Sequence, residues 1–396
     1  MSEKYIHRKA GRKPPLRCGA LLFLGALLFG FTLLNLFWPK RAQSELENRR
    51  LAQFPKFSVK AVLNGQWQQG FGTWMQDQVA LRDSWISLES LVNTTALSKT
   101  EQGGILLGED HRMFTKLFTL SDGGKQLEKN VNAVRSFAAR YPGKVTFLLA
   151  PSASVIYLEA LPANAPMLDE NALLDSTFAS IGETAQVLDL REVFTAHKAE
   201  DLYFTTDHHW TPDGAYLAYQ QFCELKGLTP FDPAAHNRVE VPDFYGTHYS
   251  ATRWWNAAPD AFYYYDLPNA MTVYQINGEA QYTPLKTEDL MNPDKLASRD
   301  KYGAFLDGNN GYSVIEGDGE GSILVVKDSY ANSFVPYLTA NYAKIGVVDF
   351  RNFAYGLDST IAQEGYDEVL VLYNFQTFVA DTKVIYIDRP TTLTAQ

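Results

Sequence analysis

Thr205-Thr206-Asp207-His208-His209-Trp210-Thr211-Pro212 sets a carboxylate and two imidazoles in three consecutive positions. A carboxylate beside a histidine fixes the ring tautomer and stabilises the imidazolium formed when the other nitrogen takes a proton. In an extended stretch, residues two apart face one side, so the spacing pairs Asp207 with His209 and turns His208 away. That pair lacks a nucleophile, and Ser329 is the candidate. It follows the apolar run Ile323–Val326 and precedes the helix-like Ala331–Tyr342, the strand-to-helix edge where open α/β sheets hold their sites. Free N–H groups at such a helix start can face a developing oxyanion, although a plain N-cap serine has the same context. Ser152 and Ser154, after the run Val145–Leu149, are second choices because they lack the Asp328-Ser329 pairing.

The elements that must position these groups are legible as short β-branched runs. Val145–Leu149, Val187–Leu190, Ile323–Val326, Ile345–Val348 and Val369–Leu372 alternate with helix-length segments, which predicts an α/β fold with a helix-covered parallel sheet. The last three runs read as a βαβαβ unit. Residues 101–390 are therefore expected to be one α/β domain, with an irregular or β-rich insertion over about 229–321. Within the insertion, Phe244 to Tyr265 holds nine aromatic residues in 22, far above the chain's 13%. Packing is the first explanation; Trp254, Trp255 and Tyr263 are the candidates for stacking on a sugar.

From Cys18 to Trp38 no residue is charged, and 21 helical residues match the roughly 30 Å of a bilayer's hydrocarbon core. The run is longer than a signal peptide's apolar region and ends without a small-x-small cleavage site, so an uncleaved transmembrane anchor over 16–38 is expected. Lys4, Arg8, Lys9, Arg12, Lys13 and Arg17 cluster at its N-terminal end, placing residues 1–15 in the cytoplasm and residues 39–396 outside. The overall charge is −10, and all but the first 17 residues carry −15, which repels nucleic acid. Residues 39–100 are expected to form a helical stalk, with Trp67, Phe71 and Trp74 on one face packed against the main domain. Of the two cysteines, Cys18 lies at the start of the span, so Cys223 has no disulfide partner outside the membrane.

The phrases Thr206-Asp207-His208-His209-Trp210-Thr211 and Val326-Lys327-Asp328-Ser329-Tyr330-Ala331-Asn332-Ser333 resemble the bacterial DHHW protein family. The stalk phrase Glu45-Leu46-Glu47-Asn48-Arg49-Arg50-Leu51, with Phe54-Pro55, is similar too. That family resembles the SGNH-hydrolase-like domains of alginate and other exopolysaccharide O-acetylation proteins. The resemblance implies a Ser329–His209–Asp207 triad in permuted order, the Asp-x-His preceding the serine. It also implies an O-acetyltransferase acting on a polysaccharide at the bacterial cell membrane. Because acetyl-coenzyme A is cytoplasmic, a membrane-bound O-acyltransferase partner would supply the acetyl group. Neither a cofactor nor a metal is expected. Lys327 replaces the glycine of the usual Gly-Asp-Ser turn, and Tyr330, Asn332 and Arg351 are the candidate oxyanion or substrate contacts. Competing readings are a carbohydrate esterase, a non-catalytic glycan-binding scaffold and a metal-dependent phosphoesterase. The last needs further clustered aspartates, and no Asp-x-Asp follows Val145–Leu149.

Overall fold

Alternate residues of a strand face opposite sides, and in Ile323–Val326 both sets are apolar, so this segment belongs between two cores. In the computed structural model, which describes residues 19–47 and 49–391, it lies there. The main sheet holds β1 (Val145–Ala150), β2 (Gln186–Leu188), β3 (Ala270–Gly278), β4 (Gln281–Asp289), β5 (Tyr312–Glu316), β6 (Ser322–Lys327), β7 (Lys344–Val348) and β8 (Glu368–Asn374). Their order is β4-β3-β5-β7-β6-β8-β1-β2. Pairing is parallel from β7 through β2, so the five apolar runs form the expected helix-covered sheet.

Both faces are closed by helices. Ile323, Val325, Leu370 and Leu372 pack with Ala215, Ala218, Tyr219 and Phe222 of helix Pro212–Lys226. Leu324, Val326, Val369 and Val371 pack with Val134 and Phe137 of helix Lys125–Arg140 and with Leu174 and Phe178 of helix Glu170–Ile181. Each Val, Leu, Ile or Phe among them contributes about 1.5–3 kcal/mol on leaving water.

The segment 229–321 is strand-rich, and only part of it stands apart from the sheet. Asn237–Phe244 and Asp260–Asp266 form a separate antiparallel hairpin. Beyond it, β3, β4 and β5 extend the main sheet, β5 pairing antiparallel with β7 and β3 with both β5 and β4. The physical reason is the exposed edge β7 would otherwise present, a row of unpaired backbone groups that antiparallel strands can cover with short connections.

Among the described residues, 19–44 and 49–85 form a second unit. Its helix Gly19–Phe37 has no buried residue and is long and apolar enough to cross a membrane. The preceding basic residues and Cys18 lie outside the described residues. Trp67, Phe71 and Trp74 of helix Gln66–Asp77 do pack, but on Phe54 of their own unit, with centroids 6.3, 6.0 and 5.0 Å from its ring. Arg49 closes this unit by pairing with the buried Asp77 at 2.6 Å.

Candidate active site

Ser329 leaves the carboxyl end of β6 in a tight turn, and the turn is built by Asp328. Its buried carboxylate accepts the N–H of Tyr330 and that of Asn374, both at 2.9 Å. Burial pushes the Asp328 carboxyl up to about 6 against those two donors. The Ser329 carbonyl accepts from the Tyr302 hydroxyl at 3.0 Å and from the Asn332 N–H at 3.2 Å. These contacts fix the serine at the end of a central strand of the sheet.

The acid–base loop reaches it from the other direction. Tyr203 and Trp210 form a backbone bridge that closes residues 204–209 into a bend. Asp260, from the separate hairpin, clamps that bend by accepting Thr205 N–H at 2.7 Å, Thr205 O–H at 2.8 Å, Thr206 N–H at 2.9 Å and the Thr206 hydroxyl. Trp210 is fully buried and its indole N–H donates to Tyr330 O at 2.9 Å and Ser333 Oγ at 3.0 Å. The fourth residue of the Asp-His-His-Trp phrase thus ties the loop to the serine turn. Thr211 then caps helix Pro212–Lys226 by accepting Gly214 N–H at 3.2 Å, a contact worth about 1 kcal/mol.

At the junction, His209 Nδ1 lies 2.5 Å from Asp207 Oδ1 and His209 Nε2 lies 2.8 Å from Ser329 Oγ. An ionised carboxylate only accepts, so Nδ1 carries the ring proton and Nε2 offers its lone pair to the serine hydroxyl. Asp207 is 4% exposed and His209 6%. Asp207 also accepts the N–H of His209 at 2.9 Å and the N–H and O–H of Thr247 at 2.7 and 2.9 Å. Burial opposes its charge, yet the adjacent imidazoles and these donors hold it well below the usual carboxylate range. Burial, reinforced by His208, outweighs Asp207 at His209 and pushes its pKa down to about 4, leaving a neutral base at pH 7. The Tyr302 ring stacks on His209 at 3.8 Å and 14° and walls off one side. Donor atoms of Asp207, His208 and His209 lie within 4.8 Å of one another, but four hydrogen bonds already fill the Asp207 lone pairs.

His208 does not turn away. The loop is bent rather than extended, so strand alternation fails, and the His208 ring lies 3.8 Å from that of His209. Its Nδ1 is 2.7 Å from Thr247 Oγ1, which itself donates to Asp207. Other expectations shift as well. Tyr330 has no free donor, because its N–H serves Asp328 and its hydroxyl serves His208 O. Asn332 is buried and turns its amide to Gly308 O and Asn309 Oδ1 at 3.4 and 3.3 Å. Arg351 is bound to Asp349, its Nε 2.9 Å from Oδ1, with 38% of the side chain exposed. Tyr263 is not a platform for sugars: it is 3% exposed, donates to Asp213 at 2.5 Å and lies under Arg238. Phe244 and Phe262 form a small core with Phe204, Tyr302 and Phe305. Trp254 packs on the cluster of Ile105, Leu107 and Met113, leaving Trp255 exposed at 56%. Packing therefore accounts for most of the aromatic cluster.

Several supporting residues carry no sequence signal. Thr247, Asp260 and Tyr302 reach the site from the hairpin region and a loop beyond it. Gly246 is required because a Cβ there would overlap the Asp207 side chain.

The DHHW protein family model matches residues 167–348, a segment containing Asp207, His209 and Ser329. "Probable alginate O-acetylase AlgJ" of Pseudomonas syringae pv. tomato is 26% identical over 181 residues, which are 43% of this chain and 46% of AlgJ. The match thus spans about half of that relative's length. Among solved structures, a DHHW family protein from Eubacterium siraeum superposes with a TM-score of 0.62 at 22% identity, covering 74% of this chain and 98% of that one. Bacillus cereus PatB1, solved with a sulfonyl adduct, gives 0.57 at 19% identity, covering 72% and 98%. At these identities the structures speak for the fold. The serine turn and the acid–base loop both lie in the part of the chain, residues 167–348, that carries the DHHW family region.

Proposed function

We propose that the protein is an acyltransferase that works outside the membrane, moving an acetyl group onto a polysaccharide hydroxyl through an acyl-Ser329 intermediate. The reading rests on one observation above others: the unbroken Asp207–His209–Ser329 hydrogen-bond chain at 2.5 and 2.8 Å. Ser329 Oγ attacks the acyl carbonyl carbon, its proton passes to His209 Nε2, and the carbonyl π pair moves onto oxygen. Collapse of that intermediate breaks the bond to the leaving oxygen, which takes the proton from His209. An acceptor hydroxyl then repeats the sequence on acyl-Ser329, giving its proton to His209 and regenerating the serine.

Water and a sugar hydroxyl compete as acceptors, so the outcome depends on which is held near the ester carbonyl. The similarity to a protein named as an alginate O-acetylase favours the sugar. Helix Gly19–Phe37 suits a single-pass anchor with a cytoplasmic N-terminus, which would hold the enzyme near an acetyl group passed outward by a membrane-bound O-acyltransferase partner. The test introduces Ser329→Ala in cells and measures ester-linked acetate on the surface polysaccharide. Acetate is expected to fall; a rise would make the protein a deacetylase.

A further inference from the structure

Ser329 and its neighbours leave the developing oxyanion short of donors. Tyr330 and Asn332 are committed elsewhere, and the Ser329 N–H has no protein partner among the described residues. A further amide lies one layer away, beside a buried lysine.

Lys327 ends β6 two residues before Ser329 and is 1% exposed. Its Nζ donates to Asn332 Oδ1 at 2.7 Å, Asn309 Oδ1 at 2.9 Å and Asp349 Oδ2 at 3.3 Å. An ammonium has three donors and no acceptor, so both amides must present oxygen to it and turn their NH2 groups elsewhere. For Asn332 that other direction is Gly308 O and Asn309 Oδ1. For Asn309, which is half-buried, the NH2 has no protein partner among the described residues. Asn309 Oδ1 accepts from the Asn332 side chain, and the Asn332 backbone N–H donates to the Ser329 carbonyl, so a single residue, Asn332, links this amide to the serine turn.

Its loop is held in a costly shape. Leu306, Asp307 and Gly308 are successive residues at φ 53°, 50° and 88°, and two of them carry a Cβ that disfavours this region. The conformation is enforced by the Asp307 carboxylate, which binds Lys286, Lys295 at 2.8 Å and Asn292 at 2.7 Å. Asn352 adds a bond to the Asn309 carbonyl at 2.7 Å. Backbone strain held by this many contacts fixes where Asn309 points.

We propose that Asn309 donates through Nδ2 to the oxyanion formed when Ser329 attacks an ester, beside the Ser329 N–H, and that Lys327 is the positioning residue that aims it. The inference rests on the acyl-Ser329 reading. In that step the new bond is Ser329 Oγ to carbonyl carbon, the serine proton moves to His209, and the carbonyl pair moves to oxygen. Asn309 gains a hydrogen bond and exchanges no proton.

The experiment follows hydrolysis of p-nitrophenyl acetate by the full chain in detergent, with Ser329→Ala as reference. Asn309→Ala is expected to lower kcat about 100-fold with KM within about twofold, the signature of a donor used in the transition state. If Ser329→Ala is inactive while Asn309→Ala keeps kcat within threefold, the donor assignment is overturned and the triad stands. Activity surviving in Ser329→Ala overturns the Ser329 reading and this inference together. Lys327→Gln is expected to lower kcat at unchanged KM, and the Lys327→Gln/Asn309→Ala pair to be no worse than Asn309→Ala alone. Multiplicative losses would make Lys327 merely structural. Should Lys327→Gln fail to fold, the Asn309→Ala result decides.

Discussion

Two buried acid–base pairs flank Ser329, and they are built for opposite purposes. Asp207 and His209 form a pair with spare capacity: the carboxylate is ionised, the imidazole neutral, and the ring's second nitrogen meets the serine at 2.8 Å. Lys327 and Asp349 form a closed pair at 3.3 Å, both 1% exposed, with the remaining ammonium donors and carboxylate lone pairs taken by Asn309, Asn332 and Arg351. Burial lowers Lys327 to about 8, while Arg351 and Lys327 hold Asp349 below its usual value despite the burial that opposes it. Equal burial thus gives a ring nitrogen able to accept a proton in one case and a fixed support in the other, because one pair faces the Ser329 hydroxyl and the other faces only amides and a guanidinium.

The comparison breaks first on activity. Asp207→Asn is expected to lose about 10³–10⁴-fold in kcat for small acetyl esters while remaining folded, because the imidazolium loses its stabilising charge. A loss under tenfold would show that the pair is not the proton relay. The second break is on stability. Lys327→Met leaves Asp349 with Arg351 alone, and removing one partner of a buried pair costs about 3–5 kcal/mol. Denaturant unfolding in detergent should show the loss, with Lys327→Met/Asp349→Asn recovering part of it; a loss under 1 kcal/mol would mean that Arg351 satisfies the carboxylate unaided.

The finest distinction is in pH. His209 must be neutral to accept the serine proton, and its pKa is pushed down to about 4. Protonation removes the base only below that value, so kcat/KM should stay level from pH 7 to about 5 and halve near pH 4. An acid limb centred near the ordinary histidine value of about 6.5 would place His209 in a wetter, more charge-tolerant setting than this fold gives it.

Much of this was legible in residue order. Continuous apolar runs required strands buried on both faces, and β1, β6, β7 and β8 lie on or beside the expected runs. The adjacency of Asp207 to His209, and of Ser329 to a strand end, named groups of the right chemistry. Local pattern failed where local shape was not extended: His208 was expected on the far side, and the bend enforced by Asp260 and the Tyr203–Trp210 bridge puts it against His209. It also failed for the aromatic stretch, since a run of rings has the same composition whether it binds sugar or packs on Phe204 and Tyr302.

Sequence by itself therefore determined the α/β class, the apolar N-terminal helix and the identity of the three groups that meet. Tertiary structure decided what lies between and around them. Thr247, Gly246 and Tyr302 support the loop from positions fixed by hairpin register and loop path, and Asn309 reaches the serine turn through contacts with Lys327 and Asn332. No spacing along the chain encodes such contacts. They arise because burying both faces of one sheet brings distant loops to the same strand end, where each polar group must then find a partner or remain free for substrate.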